Sequence, residues 1–113
     1  MVPSPVRVAL ERVVPLLVAG KLGAIERLDR SGRMRATDWQ NAIKEYGRTL
    51  REPPRNDFEA ANVVPLRGQE DCAWSVWYRL WTKEEGRSDL TVELTVRLRG
   101  DDVEIDADGL RVP

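Results

Sequence analysis

The residues best suited to binding or chemistry lie in one charged loop, Lys83 to Asp89. Arg87 carries a guanidinium fork that could bind an anion, and Glu85 and Asp89 carry carboxylates. Alternatively, Arg87 could pair with a neighbouring carboxylate of the loop and fix a solvated turn with Gly86 at positive φ. Both interpretations stay open. The binding interpretation has the support that loops on rigid scaffolds often carry function.

Two indoles and a guanidinium form a second candidate site on the preceding strand. Trp77, Arg79 and Trp81 recur at every second residue, so they share one face of a strand. Large aromatic side chains beside an arginine are typical of the cores of protein interfaces. We therefore predict a partner interface at these three residues. The alternative is that a loop or the N-terminal segment covers the indoles.

A third group of residues could line a pocket under the helices. Trp39 and Tyr46 lie on the same face of a predicted helix, and Tyr46, Glu45 and Arg111 are the polar groups best placed to reach a cavity. Core packing is the simpler expectation for Trp39 and Tyr46, since aromatic residues at helical spacing usually pack. Tyr46 is kept as a possible ligand residue beside Glu85, Arg87 and Asp89.

The composition excludes several kinds of chemistry. The chain has no histidine and one cysteine, Cys72. Catalytic schemes that pair histidine with serine or cysteine are therefore excluded, and the usual ligands of zinc are missing. We expect no metal site and no cofactor. Any catalysis would have to rest on carboxylates, tyrosine, lysine or arginine.

Charge and hydropathy predict the class of partner. There are 18 basic and 19 acidic residues, interleaved along the chain, for a net charge of −1. This balance lacks the basic footprint of nucleic-acid binding. No run approaches the roughly 20 apolar residues that span a bilayer, and the first residues lack a signal-peptide pattern. A single thiol gives no disulfide framework, so we expect a cytoplasmic protein.

Helix signals occupy the first half of the chain. Apolar residues recur every three or four positions from Val6 to Val18, which predicts a helix with one face on a core. Pro15 predicts a kink or break in it, because proline lacks an N–H and clashes with the preceding turn. Shorter apolar stripes predict a second helix from about Leu22 and a third between Thr37 and Tyr46.

Strand signals occupy the second half. After Glu52 to Asp57, which we interpret as an extended surface loop, the apolar pattern changes to a period of two. It predicts strands at Asn62 to Arg67, Trp74 to Thr82, Leu90 to Arg99 and Val103 to Ala107, and a bulge or turn at Asp108-Gly109 before a last short strand, Leu110 to Val112. We therefore expect one α+β domain over residues 1–113, with N-terminal helices packed on a curved antiparallel four-stranded meander.

The segment Leu80 to Thr91, LWTKEEGRSDLT, resembles a motif of short uncharacterised bacterial proteins that are classified as a domain of unknown function. Weaker similarities lie at Val18 to Lys21, Ala42 to Leu50, Pro53-Pro54, Phe58 and Val63 to Pro65. The family tends to carry a histidine near its end, where this chain has Arg111, so no role can be transferred from it. The resemblance implies no activity.

The order of elements resembles the nuclear-transport-factor-two-like, or cystatin-like, cone. That fold holds isomerases, binding modules and dimerisation domains alike, so it implies no single function. Taken together, the residues favour a non-enzymatic protein-interaction module that acts as a homodimer or binds another protein. The alternative is a small-molecule-binding cone protein, or an isomerase or hydrolase that uses carboxylates.

Overall fold

Three helices precede five strands in this computed structural model, which describes residues 1–113. A short 3-10 turn lies between the first two strands. The elements are α1 (Ser4–Ala19), α2 (Leu22–Leu28), α3 (Ala36–Tyr46), β1 (Leu50–Arg51), the 3-10 turn (Asp57–Ala60), β2 (Asn62–Pro65), β3 (Ala73–Thr82), β4 (Gly86–Arg99) and β5 (Asp102–Arg111).

Helix α1 continues through Pro15, so of the predicted kink or break the break is wrong. The helix keeps its apolar stripe against the sheet, with Val13, Val14 and Leu17 at most 2% exposed. Burying three such side chains offsets the roughly 3 kcal/mol that an internal proline costs. Gly20 then ends the helix in the left-handed conformation, at φ 72°.

Strand β3 organises an antiparallel sheet of five strands. One of its edges pairs with β4, which in turn pairs with β5. Its other edge pairs with both β1 and β2, which lie one after the other along it. The predicted meander is therefore present, with one additional short strand. Strand β1 has two residues, too few to show an alternation in the sequence.

The helices pack on one face of the sheet, here called the inner face. It is formed by alternate residues of β3 and β4, such as Val76, Leu80, Val92 and Leu94, which are at most 1% exposed. They join α1, α2 and α3 side chains in one core cluster of 22 buried residues. The α+β layering predicted from the two periodicities is confirmed. No helix is long and apolar enough to cross a membrane.

The free edge of β5 is covered by the segment that follows α2. The Arg30 N–H donates to the Ile105 carbonyl (2.8 Å), and the Ala107 N–H donates to the Asp29 carboxylate (2.9 Å). The same carboxylate accepts hydrogen bonds from the N–H and the hydroxyl of Ser31. Because an open strand edge can pair with another chain, this cover blocks sheet extension at β5.

Strand β5 contains the bulge that the sequence predicts. Glu93 lies opposite Gly109 and Leu94 lies opposite Ala107, so Asp108 is the additional residue. A second irregularity lies in the pairing of β3 with β4, where Leu80 of β3 faces the three residues 88–90 of β4. Bulges bend a strand and increase its local twist. Both irregularities lie in the half of the sheet that carries the candidate site.

Candidate functional site

The face of the sheet opposite the helices, here called the outer face, carries two exposed apolar side chains. Trp77 of β3 is 41% exposed and Val64 of β2 is 58% exposed. Asn62 lies opposite Trp77, and Val64 lies opposite Ser75, so Val64 and Trp77 are diagonal neighbours on one face. Trp77 and Arg79 are therefore available to solvent on the outer face, as their spacing predicts.

Trp81 is half-buried, because several neighbouring side chains contact its indole. Its Nε1 donates to the Asp57 carboxylate (2.9 Å). The guanidinium carbons of Arg87 and Arg51 lie 5.2 Å and 5.8 Å from its ring centroid, within cation–π range. Trp81 is thus partly covered, as in the alternative interpretation of the sequence, whereas Trp77 is not.

Asp57 is the residue that joins these groups. Its carboxylate accepts hydrogen bonds from the Tyr78 hydroxyl (2.6 Å), the Trp81 indole and the Arg87 guanidinium. Asp57 is 12% exposed and Arg87 is 27% exposed, so water screens this ion pair only weakly. A charge-assisted bond of this kind fixes the direction of the arginine fork.

The 3-10 turn positions Asp57 at the edge of β3. Strand β1 pairs with β3 at Trp81 and Thr82, and β2 begins opposite Trp77, so no strand pairs with this edge at Tyr78 to Leu80. The turn lies beside this gap, and its Phe58 ring packs edge-on against Tyr78 at 5.3 Å. Asn56 enters the turn at φ 64°, a conformation that asparagine tolerates.

The prediction of an extended surface loop from Glu52 to Asp57 gave this residue no role. The sequence does carry one signal for it. Tyr78 lies on the inner face and is 1% exposed, and a buried phenol needs a hydrogen-bond partner. Burial, and then the hydrogen bond to Asp57, raise the pKa of Tyr78 above its ordinary value. The hydroxyl therefore stays protonated and acts as a donor.

The hairpin loop between β3 and β4 is held by its carboxylates. The Tyr46 hydroxyl bonds to Glu85 (2.9 Å) and accepts from the Asp89 N–H (3.2 Å). Glu84 accepts from the N–H and hydroxyl of Thr49 (both 2.9 Å), which lower the pKa of that carboxyl. Gly86 has φ 77°, the positive value expected of the turn.

The ion pairs near this loop differ from those expected. Arg87 does not pair with a carboxylate of its own loop; it pairs with Asp57. Asp89 instead accepts from Arg79 (3.1 Å). The reason is the strand geometry: Arg87 lies directly opposite Trp81 on β3, so its side chain extends toward the 3-10 turn beyond that indole. Tyr46, Glu85 and Asp89 form one group, and Arg87 belongs to another.

Several predicted residues converge on a depression in the outer face, with a volume of about 470 Å³. Trp77, Arg79 and Arg87 line it together with Asn62 and Thr91. Thr91 lies between two cross-strand arginines and is 3% exposed. This volume falls within the range of small-molecule sites. No acidic residue is among those that line the depression.

A smaller cleft of about 290 Å³ lies between α3 and the ends of β4 and β5. Glu45, Tyr46 and Arg111, the three polar residues suggested for a pocket, all line it. Trp39, by contrast, is fully buried in the core. No cluster of three or more histidine, cysteine or acidic side chains is arranged to hold a metal ion.

Comparison with known proteins identifies the family of the chain and nothing more. No curated protein and no solved structure matches it. The family described as a domain of unknown function, DUF7668, matches residues 14–113, a span that includes every strand and the residues of the outer face. The chain therefore belongs to the DUF7668 family, a domain of unknown function.

Proposed function

We propose that the protein is a non-enzymatic interaction module and that its outer face binds a second copy of the chain. The observation that carries this proposal is Trp77, a large aromatic side chain that is 41% exposed on a sheet face without helices. Exposed Val64 beside it extends the apolar patch. Tryptophan is among the residue types enriched in interface hot spots.

Charge favours a second copy as the partner. The outer face alternates cations and anions: Arg97 bonds to Asp106, and Arg111 bonds to Glu93 at 2.7 Å. A two-fold axis would bring the basic groups of one such face against the acidic groups of the other. With a net charge of −1, two copies repel each other only weakly at long range.

Sedimentation equilibrium with a Trp77→Ala variant tests the dimer. We expect a dimeric wild type and a dissociation constant raised about tenfold or more in the variant, as for a hot-spot residue. Val112→Ala is the matched control, since Val112 is also exposed (52%) but lies at the cleft near Tyr46. A monomeric wild type, or equal effects of the two substitutions, would contradict the proposal.

Trp81→Ala is a poor test of the interface, although Trp81 belongs to the predicted site. Its indole N–H and ring are bonded to Asp57 and stacked with Arg87. Removing it would disturb this packing in the monomer as well. We propose that Trp77 and Arg79 contact the partner directly. Trp81 contributes indirectly, by holding the neighbouring Arg87 in place.

The depression of about 470 Å³ on the outer face favours a second candidate function, the binding of a small molecule. A carboxylate-based isomerase or hydrolase would need a carboxyl group with a raised pKa in a cavity. The side chains that line the depression include no carboxylate, so for this site we propose binding rather than catalysis.

Two broader proposals accompany these functions. Three N-terminal helices on one face of an antiparallel sheet with two bulges support the resemblance to the cystatin-like cone. A single cysteine, Cys72, supports a place in a reducing compartment, and we propose a bacterial cytoplasmic protein.

A further inference from the structure

We propose that the depression in the outer face binds a small organic anion, with its carboxylate or phosphate group between Arg79 and Arg87 and its planar apolar part against Trp77. These three side chains line the same depression of about 470 Å³. Guanidinium groups bind both kinds of oxyanion through paired N–H donors. The site lies within one chain, and because Trp77 and Arg79 are also the residues proposed to contact a second copy, an anion and a second copy would compete for this face.

Arg87 is held in place before a ligand arrives. One of its terminal nitrogens donates to Asp57, and its guanidinium lies over the Trp81 ring at 5.2 Å. Asp57 is in turn fixed by the Tyr78 hydroxyl and the Trp81 indole. A donor that is already ordered loses little conformational entropy on binding, which favours affinity.

Arg79 is anchored through its Nε and only weakly paired at its terminal nitrogens. Its Nε donates to the Ser88 carbonyl at 2.9 Å, which sets the direction of the guanidinium. One terminal nitrogen pairs with Asp89 at 3.1 Å, but the Asp89 side chain is 72% exposed. Such an exposed pair is weak and readily exchanged. An incoming anion can therefore replace Asp89 as the partner of Arg79.

Trp77 and the uncharged residues define the rest of the ligand. The indole, 41% exposed, offers a flat apolar wall on which a planar group can stack. Asn62 adds an amide that can bond to polar substituents. No side chain of the lining is itself acidic, and the two carboxylates at its rim, Asp57 and Asp89, each pair with one of its arginines. The lining thus combines cations with one aromatic surface.

Titration followed by ¹H–¹⁵N correlation spectra tests the site, with the indole signal of Trp77 assigned from a Trp77→Phe variant. The probes are benzoate, phenyl phosphate, the uncharged analogue benzamide, and inorganic phosphate. We expect benzoate or phenyl phosphate to shift the Trp77 indole signal with saturation, and benzamide and inorganic phosphate to bind at least about tenfold more weakly. The stronger of the two aryl anions identifies the acid group.

Two substitutions at the site have opposite expected effects. Arg79→Gln removes a cation and should weaken binding of the aryl anion about tenfold. Asp89→Asn removes the competing carboxylate and should strengthen it about two- to fivefold. A merely structural role of the Arg79–Asp89 pair would weaken binding in both variants. Arg99→Gln is the matched control, since Arg99 is also an exposed arginine paired with an acid, and it should leave affinity unchanged.

The outcomes that overturn the proposal are equally specific. Equal binding of benzoate and benzamide would show that charge is not recognised, and equal binding of inorganic phosphate would remove the role of Trp77. Loss of affinity in Arg99→Gln, or no saturable shift with either aryl anion, would also reject the site. Light scattering on the same samples records the oligomeric state. The absence of a dimer and the absence of anion binding are therefore observed separately.

Discussion

At the scale of single residues, one carboxylate connects both faces of the sheet. Asp57 accepts from Tyr78, which belongs to the inner face, and from Trp81 and Arg87 at the site. Tyr78 lies where no strand pairs with this edge of β3, Trp81 lies beside β1, and Arg87 reaches Asp57 from β4. Asp57 therefore serves two purposes: it satisfies a buried phenol, and it orients the guanidinium that lines the depression.

Asp57→Ala should destabilise the fold and disturb the site together. The substitution leaves the Tyr78 hydroxyl and the Trp81 indole without their partner and Arg87 without its counter-charge. We expect a loss of about 2–4 kcal/mol in the free energy of unfolding, measured by urea denaturation. Asp101→Ala, at an exposed turn, should stay within about 0.5 kcal/mol of wild type. Equal stability of both variants would show that the network contributes little.

At the scale of elements, the edge of β5 is protected by Asp29, whose carboxylate takes a hydrogen bond that a neighbouring strand would otherwise take. Asp29 accepts the Ala107 N–H, and the isolated bridge between Asp29 and Ile105 continues the cover. Burial by itself would raise the pKa of Asp29. Hydrogen bonds from Ala107 and Ser31 outweigh burial, and the pKa lies below its ordinary value.

The contribution of Asp29 should therefore depend on pH in one direction. A carboxyl whose folded pKa is lowered stabilises the fold above its unfolded pKa, about 3.9, and this contribution is lost as pH falls through the folded value. Near pH 7 we expect Asp29→Asn to lower the free energy of unfolding by about 1–2 kcal/mol. The gap should close in acid. An exposed control, Asp71→Asn, should show no such closing, and a gap independent of pH would contradict the assignment.

At the scale of the whole molecule, the two layers share one core. Helices α2 and α3 have 7 and 11 residues, too short to persist in water without the sheet. Their buried residues, Ile25 and Trp39, pack in the same cluster as Val76 and Leu94 of the sheet. Neither layer has a separate core with which to fold alone, which supports a single domain.

We therefore expect one cooperative unfolding transition. Far-UV circular dichroism, which reports the helices, and tryptophan fluorescence, which reports mainly β3, should give coincident urea curves. Leu94→Ala, at a fully buried position of β4, should shift both curves together by about 2–5 kcal/mol. Loss of helical signal before the fluorescence change would show two separate units instead.

The sequence alone determined the layers and the faces of the main strands. Alternation in β3 and β4 separated Val76 and Leu80 from Trp77 and Arg79, and the structure places the two sets on opposite faces. This succeeded because the side-chain period of a strand is a local property, read from consecutive residues. The bulge at Asp108 and the positive φ of Gly86 were predictable for the same reason.

Only the tertiary structure decided which side chains meet. Asp57 lies 30 residues before Arg87, and Asp29 lies 78 residues before Ala107, so no local pattern relates them. The half-cover of Trp81 and the pairing of Asp89 with Arg79 follow from the same non-local packing. The physical reason is that these contacts depend on how β1, the 3-10 turn and β2 share one edge of β3. That arrangement is determined by the closure of long loops and not by the local periodicity of the sequence.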